Sequence, residues 1–141
     1  MSNVDKITYN GEEKHLMKSS ICLLMPYIVG YMRGNIYISY LNIASCCISR
    51  MFWNYPIYNW RRYLDIYFQS TLSGYLFLLG NYTYTSRRFM LIGNGLFTNG
   101  LYLFYCSNRE YRKKNRFWYI YHGIFHFSMA AACCMVHLAI S

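Results

Sequence analysis

The distribution of charge along the chain constrains its fold more than any other feature. Asp65 is the only acidic residue between Glu13 and Glu110, and the lysines and arginines form short clusters between apolar runs. An unpaired charge in hydrocarbon costs about 3 kcal/mol or more, so helices that cross a bilayer largely exclude such residues. The pattern therefore predicts an all-α fold, a multi-pass transmembrane helical bundle.

The length and composition agree with one membrane domain. The chain has 141 residues, of which 55% are hydrophobic and only 13% are charged. Soluble domains carry about 25% charged residues. We expect residues 1–18 to form a polar cytosolic tail and residues 19–141 to form a single transmembrane bundle.

Five apolar runs are candidate spans, and a spanning helix needs about 20 residues. The first run is short and contains Pro26 and Gly30, so the bundle has about five helices, or four if this run does not span. Gly93, Gly95 and Gly100 in the fourth run are expected to allow close helix packing. The runs are residues 19–32, 36–52, 63–80, 89–106 and 117–140.

Lysine and arginine counts predict the orientation. With five spans, one side of the membrane carries 11 basic residues and the other carries 3. The positive-inside rule places the first side in the cytosol. The N-terminus is then cytosolic, and the C-terminus is lumenal or extracellular.

The net charge of +9 does not indicate a nucleic-acid partner, because most basic residues flank apolar segments. Topology and anionic lipid headgroups explain them more simply. The six cysteines lie within or beside apolar runs and lack zinc-ribbon or secreted-disulfide spacing, which favours reduced, buried thiols.

Two histidines and one aspartate are the candidate functional residues. His122 and His126 are four residues apart at the start of the last apolar run, so they share one helix face. They could hold one metal ion or share a proton, or they could simply be packed histidines. Asp65 begins the third run, and an acid at that depth is a functional candidate. Its alternatives are an ion pair with Arg61 or Arg62, or a carboxylate stabilised by the helix N-terminus.

These residues carry a resemblance to a known family. A serine late in one span, Ser45, precedes an aspartate that opens the next span, Asp65, and H-x-x-x-H opens the final span. This order resembles the CREST superfamily of membrane hydrolases, which includes alkaline ceramidases, adiponectin and progestin receptors, and myomaker. The stretches "YHGIFHFSMA" and "NWRRYLD" are similar to that family's last-helix and aspartate motifs.

The resemblance implies a zinc-dependent hydrolase of lipid amides or esters. Family members typically have seven helices and bind zinc through three histidines. His122 and His126 would be zinc ligands here, Asp65 would hold the metal-bound water, and Ser45 would assist. The family's third histidine corresponds to position 49, where this chain has Ser49.

Cys46 or Cys47 could supply the missing ligand, because both lie within one helical turn of Ser49. His137 shares a helical stripe with His122 but lies four turns away, too far to reach the same ion. The functional alternatives are a zinc hydrolase with its site on the cytosolic side, a non-catalytic protein that organises membrane, binds lipid or assembles with a partner, and an ion or proton channel.

Overall fold

The computed structural model describes residues 7–8 and 11–140, and these residues form helices and no β-strand. The prediction of an all-α fold is confirmed. The elements are α1 (Glu12–Ser19), a 3₁₀ segment (Ser20–Leu24), α2 (Met25–Met32), α3 (Ile36–Asn54), α4 (Trp60–Thr83), α5 (Arg87–Arg112) and α6 (Trp118–Ile140).

The first three elements form one helical segment that runs antiparallel to α3. The Sγ of Cys46 donates to the Ser20 carbonyl at 3.4 Å, and an Arg50 nitrogen donates to the Met17 carbonyl at 3.3 Å. The 3₁₀ turn follows from Pro26, which has no N–H to offer the preceding turn. The N–H of Met25 donates to the Cys22 carbonyl instead, which tightens the helix locally.

Part of the polar start is folded against the bundle. Helix α1 lies within the stretch that we expected to be a tail, and its Leu16 is fully buried beside Phe52 and Trp53. Ile7 belongs to the same cluster, and its N–H donates to the Pro56 carbonyl at 3.0 Å. These contacts place Ile7 and α1 against the end of α3.

Helices α4 and α5 continue the antiparallel arrangement. Asn59 caps α4, because its side chain accepts a hydrogen bond from the Arg61 N–H at 3.0 Å. Near the turn between the helices, the amides of Asn81 and Asn94 donate to each other at 3.1 and 2.8 Å. The pair fixes α4 against α5 at that end.

Helix α6 lies at the centre of the bundle. It packs directly against α1, the 3₁₀ segment, α2, α4 and α5, and it meets α3 through side chains. Its closest partner is α5, where Gly100 faces Met129 and the Ser128 hydroxyl donates to the Leu96 carbonyl at 2.8 Å. Gly93 faces Tyr84, whereas Gly95 faces no described atom, so two of the three glycines allow close packing.

Length and composition mark one helix of the described part of the chain as able to cross a membrane, Trp118–Ile140. This finding is consistent with a membrane protein. The multi-pass arrangement stays a prediction.

Polar and apolar side chains are distributed unusually between the interior and the surface. The inward face of α3 carries Ser39, Asn42, Ser45 and Ser49, each at most 3% exposed. Large apolar side chains are exposed on every long helix, among them Tyr37, Tyr67, Leu78, Leu91 and Phe127. A soluble monomer rarely exposes large apolar patches, so this many exposed apolar side chains is consistent with a membrane protein.

Candidate functional site

The two histidines of α6 are in contact. The ring centroids of His122 and His126 are 4.8 Å apart, and the rings are nearly perpendicular at 83°. Each Nδ1 meets a serine hydroxyl from another helix, Ser107 Oγ at 3.3 Å for His122 and Ser19 Oγ at 3.0 Å for His126. These bonds orient both imidazoles and leave Nε2 of each ring for another partner.

Asp65 and Ser45 are joined through Gln69, which lies one turn after Asp65 on α4. The amide nitrogen of Gln69 donates to Asp65 Oδ1 at 3.2 Å and to the Ser45 carbonyl at 3.0 Å. The Ser45 hydroxyl donates to Gln69 Oε1 at 2.6 Å. The sequence thus predicted two members of a network whose connecting residue it did not reveal.

A cavity of about 130 Å³ brings Asp65 and His122 together. Ser45 and His126 do not line it. Of the four predicted residues, two therefore line the cavity and two do not. The cavity lies between the C-terminal end of α3, the N-terminal halves of α4 and α6, and the C-terminal half of α5. Its lining includes Trp53, Arg62, Asp65, Gln69, Phe104, Ser107, Trp118 and His122.

Ser49 occupies the position that the family resemblance assigns to a third histidine. Cys46 packs with Ala130, and Trp53 packs edge-on against His122 with 5.2 Å between ring centroids. Ser49 lies between Cys46 and Trp53 on the same face of α3, so the antiparallel register brings it level with His126. Its hydroxyl is buried and has no hydrogen-bond partner among the described residues.

The side chains at this end offer fewer metal ligands than catalytic zinc commonly uses. Within residues 7–8 and 11–140, no three His, Cys, Asp or Glu side chains lie close enough to hold one ion. Cys46 is engaged with the Ser20 carbonyl, and Cys47 is exposed. Catalytic zinc commonly uses three protein ligands, so two imidazoles alone fall short. Zinc binding stays a prediction of the resemblance.

The alternative role of Asp65 as half of an ion pair is not favoured by the geometry. No ion pair joins Asp65 to Arg61 or Arg62 in the described part of the structure. The Arg62 guanidinium lies over the Tyr58 ring at 4.5 Å, and the Arg61 guanidinium lies 5.7 Å from the centre of the Trp60 ring. The half-buried carboxylate of Asp65 therefore faces the cavity with Gln69 as its hydrogen-bond donor.

Several residues of this site were not predicted from the sequence. Gln69 had one usable signal, since it lies four residues after Asp65 and must share its helix face. Ser19 and Ser107 come from distant segments, and no spacing links them to the histidines. Trp53 lies just beyond the predicted run 36–52, yet it belongs to the last turn of α3 and is 4% exposed.

A second histidine cluster lies toward the other end of α6. His137 is fully buried, and its Nε2 is 2.9 Å from the amide nitrogen of Asn42. The Asn35 amide donates to the His137 carbonyl at 3.1 Å. His137 is thus separated from the first cluster, as the spacing along the helix predicted.

The basic turn that follows α5 is fixed by one buried acid beyond the apolar part of that helix. The Asn115 amide donates to Glu110 Oε2 at 2.8 Å, and Arg109 and Lys113 lie 3.2 and 3.6 Å from Oε1. The Asn115 hydrogen bond, helped by these cations, holds the pKa of the Glu110 carboxyl below its ordinary value. The turn is therefore an ordered element beside the cavity rather than a loose basic loop.

No protein-family model, no curated protein and no solved structure matches this chain. The class that the fold itself defines is an all-α bundle organised around one apolar helix, with a cavity at one end that Asp65 and His122 help to line.

Proposed function

We propose that the chain is a multi-pass membrane protein on the plan of the CREST hydrolases, and that its cavity binds the polar part of a lipid with an amide or ester carbonyl. The observation that carries the proposal is the convergence of Asp65 and His122 on one cavity, with Ser45 connected to Asp65 through Gln69. The three come from three different helices, α3, α4 and α6.

The distribution of side chains supports a bilayer location. Helices α3 to α6 contain 19, 24, 26 and 23 residues. At about 1.5 Å per residue they are roughly 28 to 39 Å long, which is close to the thickness of about 30 Å of hydrocarbon for α3 and allows the three longer helices to tilt. The inward face of α3 is polar, and large apolar side chains of all four helices are exposed, as a bilayer location would require. We therefore retain the five-span topology as part of the proposal.

The basic residues support a cytosolic location for the cavity. Arg62 lines it, and so does Tyr111, which precedes the cluster Arg112, Lys113 and Lys114. This end carries the excess of positive charge that the positive-inside rule assigns to the cytosol. A lipid headgroup in the cytosolic leaflet would lie at the same level.

The proposed chemistry uses only groups that line the cavity. Asp65 is held by Gln69 and can accept a hydrogen bond from a ligand N–H or O–H. His122 is oriented by Ser107 and can donate or accept, depending on its tautomer. Because the third zinc-ligand position holds Ser49, binding a lipid requires no metal in this proposal, and hydrolysis is the additional activity to be tested.

The packing of the bundle argues against an ion or proton channel. Leu23, Cys46 and Ala130 form a buried cluster, and Ala130 is fully inaccessible. In the described structure this cluster lies between the cavity end and the His137 end. An ion would have to pass apolar side chains, which gives it no ligands in place of water.

Binding in lipid nanodiscs tests the proposal. A fluorescent short-chain N-acyl lipid is titrated into the wild type and into D65N and H122Q. We expect each substitution to weaken binding about tenfold, the equivalent of one well-placed hydrogen bond. H15Q is the matched control, because His15 is exposed on α1 and does not line the cavity. Equal affinity for all four proteins would contradict the proposal.

Release of the acyl chain from the same lipid separates an enzyme from a binding protein. Turnover that needs added zinc and is lost in H126A would make the chain a hydrolase. Binding without turnover would support the non-catalytic alternative, a membrane-organising or lipid-binding protein.

A further inference from the structure

Trp53 forms one wall of the cavity. It lies in the last turn of α3, its ring meets His122 edge-on at 5.2 Å and 73°, and its centroid is 6.3 Å from that of Trp118. Asp65 and His122 line the same cavity. Trp53 therefore shares the cavity with both candidate residues, and contacts with neighbouring rings restrict the orientation of its side chain.

The indole nitrogen of Trp53 has no partner in the protein. Its Nε1 is buried, and no described residue accepts a hydrogen bond from it. An indole N–H is a donor only, so it can be satisfied by an acceptor and by nothing else. Buried polar groups nearly always have a partner, which makes an unsatisfied one a marker for a missing acceptor.

Two of the other donors that line the cavity are already engaged. The Gln69 amide donates to Asp65 and to the Ser45 carbonyl, and the Ser107 hydroxyl is bonded to His122. Of the side chains that line the cavity, Trp53 is the one whose polar atom is both buried and without a partner among the described residues. The Asp65 carboxylate repels an acidic group, and the Arg62 guanidinium that could attract one lies over the Tyr58 ring. A neutral carbonyl oxygen is not repelled. The acceptor that fits is a carbonyl.

We propose that Trp53 Nε1 donates a hydrogen bond to the carbonyl oxygen of the lipid in the cavity and thereby distinguishes carbonyl lipids from ethers. The inference rests on the proposed function, since it assigns a specificity-determining residue to that cavity. An ether oxygen is a weaker acceptor and would leave the indole N–H largely unpaired.

A pair of neutral lipids tests this role. Binding of a diacylglycerol is compared with that of the dialkyl ether with the same chains, in nanodiscs of otherwise identical composition. The wild type should bind the diacylglycerol about tenfold more tightly, because one buried donor is satisfied in one complex only. In W53F the ratio of the two affinities should fall to about one.

An isosteric variant tests whether the effect of W53F comes from the lost N–H or from a change in packing. Replacing Trp53 with 3-benzothienylalanine puts sulfur in place of the N–H and keeps the shape of the ring, and it should also abolish the preference. The same replacement at Trp60, which is 62% exposed and does not line the cavity, is the matched control and should keep the preference. Thermal unfolding without lipid identifies any variant that fails to fold.

The outcomes separate the inference from the proposed function. If the wild type prefers the diacylglycerol and both Trp53 variants keep that preference, the Trp53 role is wrong while lipid binding stands. If the wild type binds both lipids equally, the inference is overturned as well. If it binds neither of them nor the N-acyl lipid, the proposed function itself fails.

Discussion

Two histidine clusters on α6 have similar residue types and opposite character. At one end His137 is enclosed by Asn42, Asn35 and the backbone of Gly30, and it is fully buried. At the other end His122 borders a cavity, and Trp53 Nε1 beside it is unsatisfied. We call the first the sealed cluster and the second the open cluster.

The difference shows what identifies a site in a helical bundle. A buried histidine that bonds a side chain of a neighbouring helix and is enclosed by its neighbours is most simply a packing element, which fixes the register of neighbouring helices. A histidine beside a cavity and an unpaired donor has room and hydrogen-bonding capacity for a ligand. The cavity beside the ring, rather than the presence of histidine, separates the two clusters.

The largest expected effect comes from completing the donor set of the open cluster. Ser49 is level with His126, so S49H should place a third imidazole beside the two of α6. We expect the purified variant to retain about one zinc per chain after dialysis, as three protein ligands plus water suffice for the ion. At zinc a thousandfold above Kd this would stabilise the fold by about 4 kcal/mol.

Metal analysis by mass spectrometry measures this outcome. The double variant S49H/H126A is the control and should lose the zinc, because it returns to two ligands. A folded S49H protein that retains no more zinc than the wild type would show that position 49 does not face the two histidines. The open cluster would then lack the geometry of the family that it resembles.

A smaller effect is expected at the sealed cluster, where G30A should destabilise the fold. A Cβ at position 30 would overlap the His137 ring and the Ser39 hydroxyl. The ring is fully buried and bonded to Asn42, so it cannot swing aside, and overpacking of this kind costs about 1–3 kcal/mol.

The control for G30A is G74A, in the middle of α4. No described atom lies within 4 Å of a Cβ built at Gly74. Alanine has the higher helix propensity, so G74A should be neutral or more stable by up to about 1 kcal/mol. Chemical unfolding in detergent compares the two variants. If G30A were as stable as G74A, the helices at the sealed end would not be closely packed.

The sequence was sufficient to predict which residues share one end of the bundle. Helix geometry places His122 and His126 on one face, and antiparallel hairpins return the start of α4 to the same end as the start of α6. Asp65 therefore meets His122 as expected. The pairing of α3 with α4 also brings Ser45 near, although Gln69 makes the connection.

The rotation of each helix about its own axis could not be predicted from the sequence. Apolar and aromatic residues occur on all faces of α3 and α4, so no pattern reveals that Trp53 turns inward while Trp60 is 62% exposed. The end of α3 was also misjudged. The helix runs to Asn54 and stops before Tyr55 and Pro56, because proline disfavours a helical conformation in the residue before it.

The smallest expected effect is a difference in stability between two histidine-to-phenylalanine variants. H137F leaves one Asn42 N–H unpaired, since the other already donates to the Ile38 carbonyl at 3.0 Å. Leaving a buried donor unsatisfied costs about 1–3 kcal/mol.

In H122F the new ring joins the aromatic side chains of Trp53, Phe104 and Trp118. The Ser107 hydroxyl can bond back to a carbonyl of its own helix, so the cost should stay below about 1 kcal/mol. Unfolding of both variants in one detergent gives the comparison. A greater loss in H122F would mean that the open cluster serves the fold, and the distinction between the two clusters would then be lost.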